Sequence, residues 1–385
     1  MTYLDHAATT PMHPAVIDEM SKVMAETFGN PSSIHQYGRN GQAKLENARQ
    51  VIADSLQVKP HEIIFNSGGT ESDNTALIET ALSKQKQGKH IITTAVEHPA
   101  VLNTAKYLEK IGFEVTYLAV DENGQLSVDE VKKALRDDTI LVSIMMANNE
   151  TGNLFPIAEV GELLKDHPAI FHTDAVQAYG KIAVHPNELQ VDLLSVSAHK
   201  FNGPKGVGFL YKRDDVSLPV FLHGGEQEEK RRAGTQNLAA ICGMAKAIEC
   251  LSPEVQRSNQ EKYQAFSTQL LDALTAAGIE YHVNGDIKNK LSHVLNLQFA
   301  GISNDLMLMH LDLKGFAIST GSACTAGNVE PSHVLEAMYG KKSPAIGESV
   351  RISFGYGNTK DEVDRFAQTI IETVERLKRN TRKIG

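Results

Sequence analysis

Lys200 lies in Ser195-Val196-Ser197-Ala198-His199-Lys200, where an apolar run passes straight into His-Lys and then into the turn Asn202-Gly203-Pro204-Lys205-Gly206. A lysine in that setting can be desolvated, which lowers its pKa and frees the neutral amine for Schiff-base chemistry. Ser67-Gly68-Gly69-Thr70-Glu71-Ser72 follows a strand-like run and opens a helix-like one. Its glycines allow close backbone approach, and the N–H groups at a helix N-terminus favour a phosphate. The segment fits neither the dinucleotide fingerprint nor a Walker loop, so it points to a single phosphate. His172-Thr173-Asp174-Ala175-Val176-Gln177 follows the apolar residues 169–171 and belongs at the C-terminal end of a strand. A carboxylate there can accept a hydrogen bond from a protonated ring nitrogen and keep that ring cationic. Taken singly, the three segments also fit a helix cap at Thr70, a loop aspartate and a surface lysine.

The elements that must position these groups alternate along the chain. Strand-like runs at 62–66, 90–93, 114–118, 139–145, 169–173, 191–197 and 207–211 are separated in several places by helical patterns at 70–84, 100–111, 127–136 and 157–165. That alternation predicts an α/β fold with a mostly parallel, doubly wound sheet, which places ligands beyond the carboxyl ends of the strands. Beyond Cys250 the texture changes to a long helix at 253–277, a strand at 293–299, a helix at 304–313, a strand at 349–354 and a final helix at 360–379. These predict a smaller α+β domain, with the N-terminal dozen residues packed against it. The expected division is 15–252 for a large cofactor-binding domain, and 1–14 with 253–385 for the small one.

Composition narrows the function. The 385 residues carry 38 Lys and Arg against 47 Asp and Glu, a net charge of −9, which argues against a dedicated nucleic-acid binder. No signal-peptide pattern and no membrane-spanning apolar run is visible, and three cysteines without CxxC spacing suit neither a disulfide framework nor a zinc site. A cytoplasmic protein with reduced thiols, no metal, no membrane and no direct nucleic-acid contact is expected.

Together, a phosphate cradle, an aspartate for a pyridinium nitrogen and a Schiff-base lysine are the groups that pyridoxal 5'-phosphate requires. With Tyr3-Leu4-Asp5-His6-Ala7-Ala8-Thr9-Thr10-Pro11, Val96-Glu97-His98-Pro99-Ala100 and Val350-Arg351-Ile352-Ser353-Phe354, the chain resembles the NifS/IscS-like cysteine desulfurases. These are class V, fold-type I pyridoxal-phosphate enzymes, and the resemblance spans nearly the whole chain. It implies that Lys200 holds the cofactor, Asp174 pairs with the ring nitrogen and Gln177 bonds the ring hydroxyl. It further implies phosphate contacts from Gly69, Thr70, Ser197 and His199, and a ring-stacking, proton-transferring role for His98. Asn149 would sit near the ring hydroxyl and substrate, and Arg351 would grip the substrate carboxylate as a bidentate fork. Thr235 would reach the phosphate of a partner subunit, implying a homodimer. The chain departs from the family at Gln236, where an acidic residue is common, a local detail of that interface.

Cys324, in Ser319-Thr320-Gly321-Ser322-Ala323-Cys324-Thr325-Ala326-Gly327, is flanked by small polar residues that argue against burial in an apolar core. Cys242 and Cys250 fit a buried, helix-borne thiol better. The resemblance makes Cys324 the residue that takes sulfur from L-cysteine as a persulfide. It would pass that sulfur to an acceptor such as an iron–sulfur scaffold or a tRNA-thiolating enzyme. The competing readings are a selenocysteine lyase, another class V lyase or transaminase, and a silent scaffold for sulfur transfer.

Overall fold

The computed structural model describes residues 1–321 and 331–384, so Cys324 lies outside the described residues. In chain order the described strands are β1 (Thr2–Tyr3), β2 (Ile63–Asn66), β3 (His90–Thr94), β4 (Glu114–Leu118), β5 (Thr139–Ser143), β6 (Ile170–Asp174), β7 (Leu193–Ser197), β8 (Gly208–Lys212), β9 (His282–Val283), β10 (Val294–Gln298), β11 (Phe316–Ala317) and β12 (Ser349–Ser353). Seven form the main sheet in the order β2-β8-β7-β6-β5-β3-β4. Only β8 runs against its neighbours, pairing antiparallel with both β2 and β7.

Alternation along the strands buries both faces. Ile63, Phe65, Leu194, Val196, Phe209 and Tyr211 enter one apolar core, while Ile64, Leu193 and Leu210 enter another across the sheet. Helices therefore cover both sides, as a doubly wound sheet requires.

A third core gathers Leu4 with Tyr263, Phe266, Leu270 and Leu274 of the helix Pro253–Ala276 and with Val363, Phe366, Ile370 and Val374 of the helix Lys360–Ile384. The three- and four-residue spacings mark one helical face in each case. The antiparallel sheet β12-β10-β9 packs into the same core. At the N-terminus, β1 pairs in parallel with β11, and Asp5 bridges Ser353. The chain then crosses to the main sheet, where Thr10 N–H donates to the His199 carbonyl (3.0 Å).

The helical pattern at 70–84 is built differently from the single α-helix expected. It consists of α turns at Gly69–Asn74 and Thr80–Lys84 around a π-helical stretch, Thr75–Glu79. Asn74 Nδ2 and Thr75 Oγ1 donate to the carbonyls of Thr70 and Glu71 (2.8 and 2.7 Å), and such side-chain bonds compete with the regular ladder. Among the described residues no helix is long and apolar enough to cross a membrane.

Candidate active site

The parallel strands β2, β3, β5, β6 and β7 deliver Gly69, Thr70, His98, Asn149, Asp174, Ser197 and Lys200 from the end of the main sheet at their carboxyl termini. After β2, Gly68 adopts φ +139°, a conformation that L side chains rarely take. Its N–H donates to Asn66 Oδ1 (3.0 Å), and Asn66 Nδ2 donates to Ser72 Oγ (2.6 Å), so the turn is fastened to the helix it opens. A Cβ on Gly69 would lie 2.7 Å from Val176 Cγ2, so only glycine fits without displacement. Gly69, Thr70, Ser197 and His199 line one cavity of about 350 Å³. Lys205 and Thr9 line it too, and neither was singled out from the sequence. Lys205 had a legible signal, a cation in the Gly/Pro turn after the strand; Thr9 had none, because it arrives from the far N-terminus.

Lys200 ends the 3₁₀ turn Ala198–Lys200 that follows β7. Its Nζ donates to the carbonyls of Ala7 and Ala8 (2.6 and 2.8 Å), and Gln177 Nε2 donates to the same Ala7 carbonyl (3.0 Å). Burial, reinforced by the Arg351 guanidinium and opposed by Asp174 and Asp5, lowers the Lys200 amine from 10.5 to about 8. Asp174 closes β6, is 5% exposed, and accepts the Val176 N–H at Oδ1 (2.8 Å). Burial raises its carboxyl to about 6 despite that bond and the nearby Lys200.

Behind Asp174 stand two further buried carboxyls that the sequence reading did not identify. Glu97 accepts from Thr94 Oγ1 (2.8 Å) and Met145 N–H (3.0 Å), and burial pushes it up to about 8. Asp73 is raised well above the usual range by burial and then by the charge of Asp174. His172 lies 3.6 Å from Asp73, and burial drives it down to about 3, so it is neutral. Asp73, Asp174 and His98 bring two carboxylate oxygens and a ring nitrogen within 4.8 Å of one another.

His98 caps the helix Pro99–Lys110, accepting the Ala100 N–H at Nδ1 (3.1 Å). That bond leaves the ring proton on Nε2, and burial followed by the charges of Lys200 and His333 lowers His98 to about 4. The Oδ1 of Asn149 is buried without a hydrogen-bond partner. Arg351 on β12 is 3% exposed; its Nη1 donates to the Asn149 carbonyl and its Nη2 pairs with Asp5 Oδ1, both at 2.8 Å. In the sequence Asp5 stands only within the N-terminal segment 3–11, and its pairing with Arg351 depends on the β1 crossing.

Thr235 is exposed and does not line the phosphate-sized cavity. Its segment is tied to the glycine turn by the Arg232–Glu71 ion pair (2.8 Å). Gln236 donates to the buried Glu228 (3.3 Å), which also makes a bidentate pair with Arg49 (2.7 and 2.9 Å). Of the other cysteines, Cys242 is buried and its thiol is raised to about 11, while Cys250 is half-buried.

A cradle for one phosphate, a buried carboxyl at a strand end, an orphaned amide oxygen and a desolvated amine fit pyridoxal phosphate. Residues 2–366 match the family described as Aminotransferase class-V. The chain is 53% identical over 375 residues to the IscS 1 protein of Bacillus subtilis, covering 97% of this chain and 99% of that one. It is 46% identical to the cysteine desulfurase IscS of Methanosarcina thermophila, covering 98% and 92%. Among solved structures, a NifS-like protein superposes with a TM-score of 0.91 at 37% identity, covering 98% of this chain and 100% of that one. A structure described as SspA in complex with cysteine superposes at 0.81 with 35% identity, covering 92% and 99%. The chain thus belongs to the class V aminotransferase family and is a pyridoxal-phosphate-dependent enzyme of the NifS/IscS-like type.

Proposed function

We propose that the chain is a cysteine desulfurase, converting L-cysteine to L-alanine while Cys324 takes up the sulfur as a persulfide. The observation that carries this reading is the buried Arg351 guanidinium close enough to Lys200 to depress its amine, an arrangement suited to an α-amino acid. The relatives named as cysteine desulfurases support the choice of substrate.

Gly69, Thr70, Ser197 and His199 hold the cofactor phosphate, with Lys205 adding positive charge. Asp174 holds the proton on the ring nitrogen, and Gln177 and Asn149 bond the ring hydroxyl. The bound cofactor supplies an electron sink for charge developing at the substrate Cα. Arg351 orients the substrate carboxylate, and the neutral Lys200 amine takes the Cα proton. His98, held in its Nε2–H form by its helix cap, shields the site and relays protons. The Cys324 thiolate attacks the substrate sulfur, the new S–S bond forms as Cβ–S breaks, the electron pair left on Cβ takes up a proton, and protonated Lys200 returns a proton to Cα to give alanine.

Residues 15–252 form the large domain, and 1–14 with 253–385 the small one. Thr235 serves a partner's site in a homodimer, as the family resemblance implies, and its position off its own chain's phosphate cavity fits that role. The persulfide is passed on in the cytoplasm to an iron–sulfur scaffold or a tRNA-thiolating enzyme.

Alanine and sulfide release from L-cysteine with a reductant tests the reading. Equal amounts from wild type, lost in both Cys324→Ala and Lys200→Ala, support it. Turnover that survives Cys324→Ala would move the protein to the lyase or transaminase branch.

A further inference from the structure

A second cavity, of about 450 Å³, lies away from the glycine turn, between the main-sheet core and the third core. Its charged lining is one-sided. Lys181, Lys262 and Lys290 face it along with two histidines, and no carboxylate is among its described lining residues. The whole chain carries a net charge of −9, so a cation-only cavity runs against the overall balance.

Two of these lysines lack ion-pair partners among the described residues. The Nζ of Lys290 is buried without a hydrogen bond. The carboxylate whose charge acts on it, Asp286, is engaged elsewhere, accepting the N–H groups of Lys288 and Asn289 (2.7 and 3.3 Å) and the Gln125 amide (3.2 Å). Lys181 forms no ion pair among the described residues, and burial alone lowers its amine to about 8. Lys290 is lowered to about 8 for the same first reason. Both line the same cavity as the buried His293, which burial and then their charges, among others, push well down. Asn259 and Tyr263 add an amide and a hydroxyl to the same lining.

Desolvated cations without a counter-charge are costly, and a volume of this size accommodates a small ligand. We propose that this cavity binds a small, doubly charged oxyanion, phosphate or a short dicarboxylate, between Lys181 and Lys290. The inference does not rest on the desulfurase reading, because none of these groups belongs to the proposed reaction.

The test is calorimetric titration of the holoenzyme, whose glycine-turn cradle is already filled by the cofactor phosphate, with inorganic phosphate and with succinate against a chloride control. One saturable anion per chain is expected. Lys181→Gln and Lys290→Gln should each weaken it by about tenfold or more, as loss of a charge-assisted bond does. Arg351→Ala should leave it unchanged. The tighter of the two anions assigns the class. Absence of saturable binding by either, or equal binding by the lysine variants, overturns the proposal. Thermal melting supplies a second readout. Without oxyanions, Lys290→Gln should melt at or above wild type, and phosphate should stabilise wild type alone. A lower melting point for Lys290→Gln in chloride would show that the amine already has a structural partner, and would also overturn the proposal.

Discussion

In the proposed reading Lys200 attaches the cofactor through its neutral amine, so the rate of attachment should report the depressed pKa directly. With Lys200 at about 8 instead of 10.5, about a quarter of the amine is neutral at pH 7.5, against about 0.1% for an ordinary lysine, a gain of roughly 200-fold. Apoenzyme mixed with limiting pyridoxal phosphate, followed by absorbance between pH 6.5 and 10, should load about tenfold faster per pH unit below 8 and level off above it. Nα-acetyl-lysine in the same buffers corrects for the ionisations of the aldehyde itself. Neighbouring charges set the sign for variants. Arg351→Gln removes a cation that lowers Lys200, so the midpoint should rise; Asp174→Asn removes an anion that raises it, so the midpoint should fall. A wild-type midpoint near 10, or a downward shift in Arg351→Gln, would refute the argument that burial and Arg351 tune this amine.

Gly69→Ala should bind cofactor more weakly while keeping the fold, because its Cβ meets Val176 Cγ2 at 2.7 Å; overpacking of this kind costs about 1–3 kcal/mol. Equilibrium cofactor binding checks this, and Val176→Ala in the same chain should restore affinity. Glu228→Ala strands the buried Arg49 and should lower stability by about 3–5 kcal/mol in urea unfolding, whereas joint replacement by Arg49→Met and Glu228→Leu should recover most of it. Glu97 keeps a proton up to about pH 8 in the native state but releases it near 4.5 when unfolded, so its contribution to stability falls as pH rises between those values. Urea midpoints of Glu97→Gln across pH 5–9 should therefore decline less than those of wild type; an unchanged slope would contradict a buried, protonated Glu97.

The main sheet was legible because its signals are local. Apolar runs at 63–65 and 140–142 record two-sided burial, and a turn rich in glycine or proline follows the strands that end at Asn66 and Ser197. Lys200, Asp174, Gly69 and Thr70 were legible for the same reason, since each sits where a strand stops and its neighbours in sequence are its neighbours in space. The short strands Thr2–Tyr3 and Phe316–Ala317 were not, because a two-residue element exists only by pairing with a segment more than 300 residues away. The π-helical stretch within 70–84 also escaped, since side-chain bonds to carbonyls, not hydrophobic period, decide it.

What only the tertiary structure decided is electrostatic. Charges act through space, so no spacing reveals that Asp5 pairs with Arg351, that Glu97 and Asp73 lie buried behind Asp174, or that Lys181 and Lys290 face one cavity without an acid. The sequence by itself determined which residue types could do the chemistry and on which strand ends they stand. The crossing of the N-terminal segment from the third core to the main sheet determined their surroundings, and desolvation together with long-range charge set the protonation states that make them reactive.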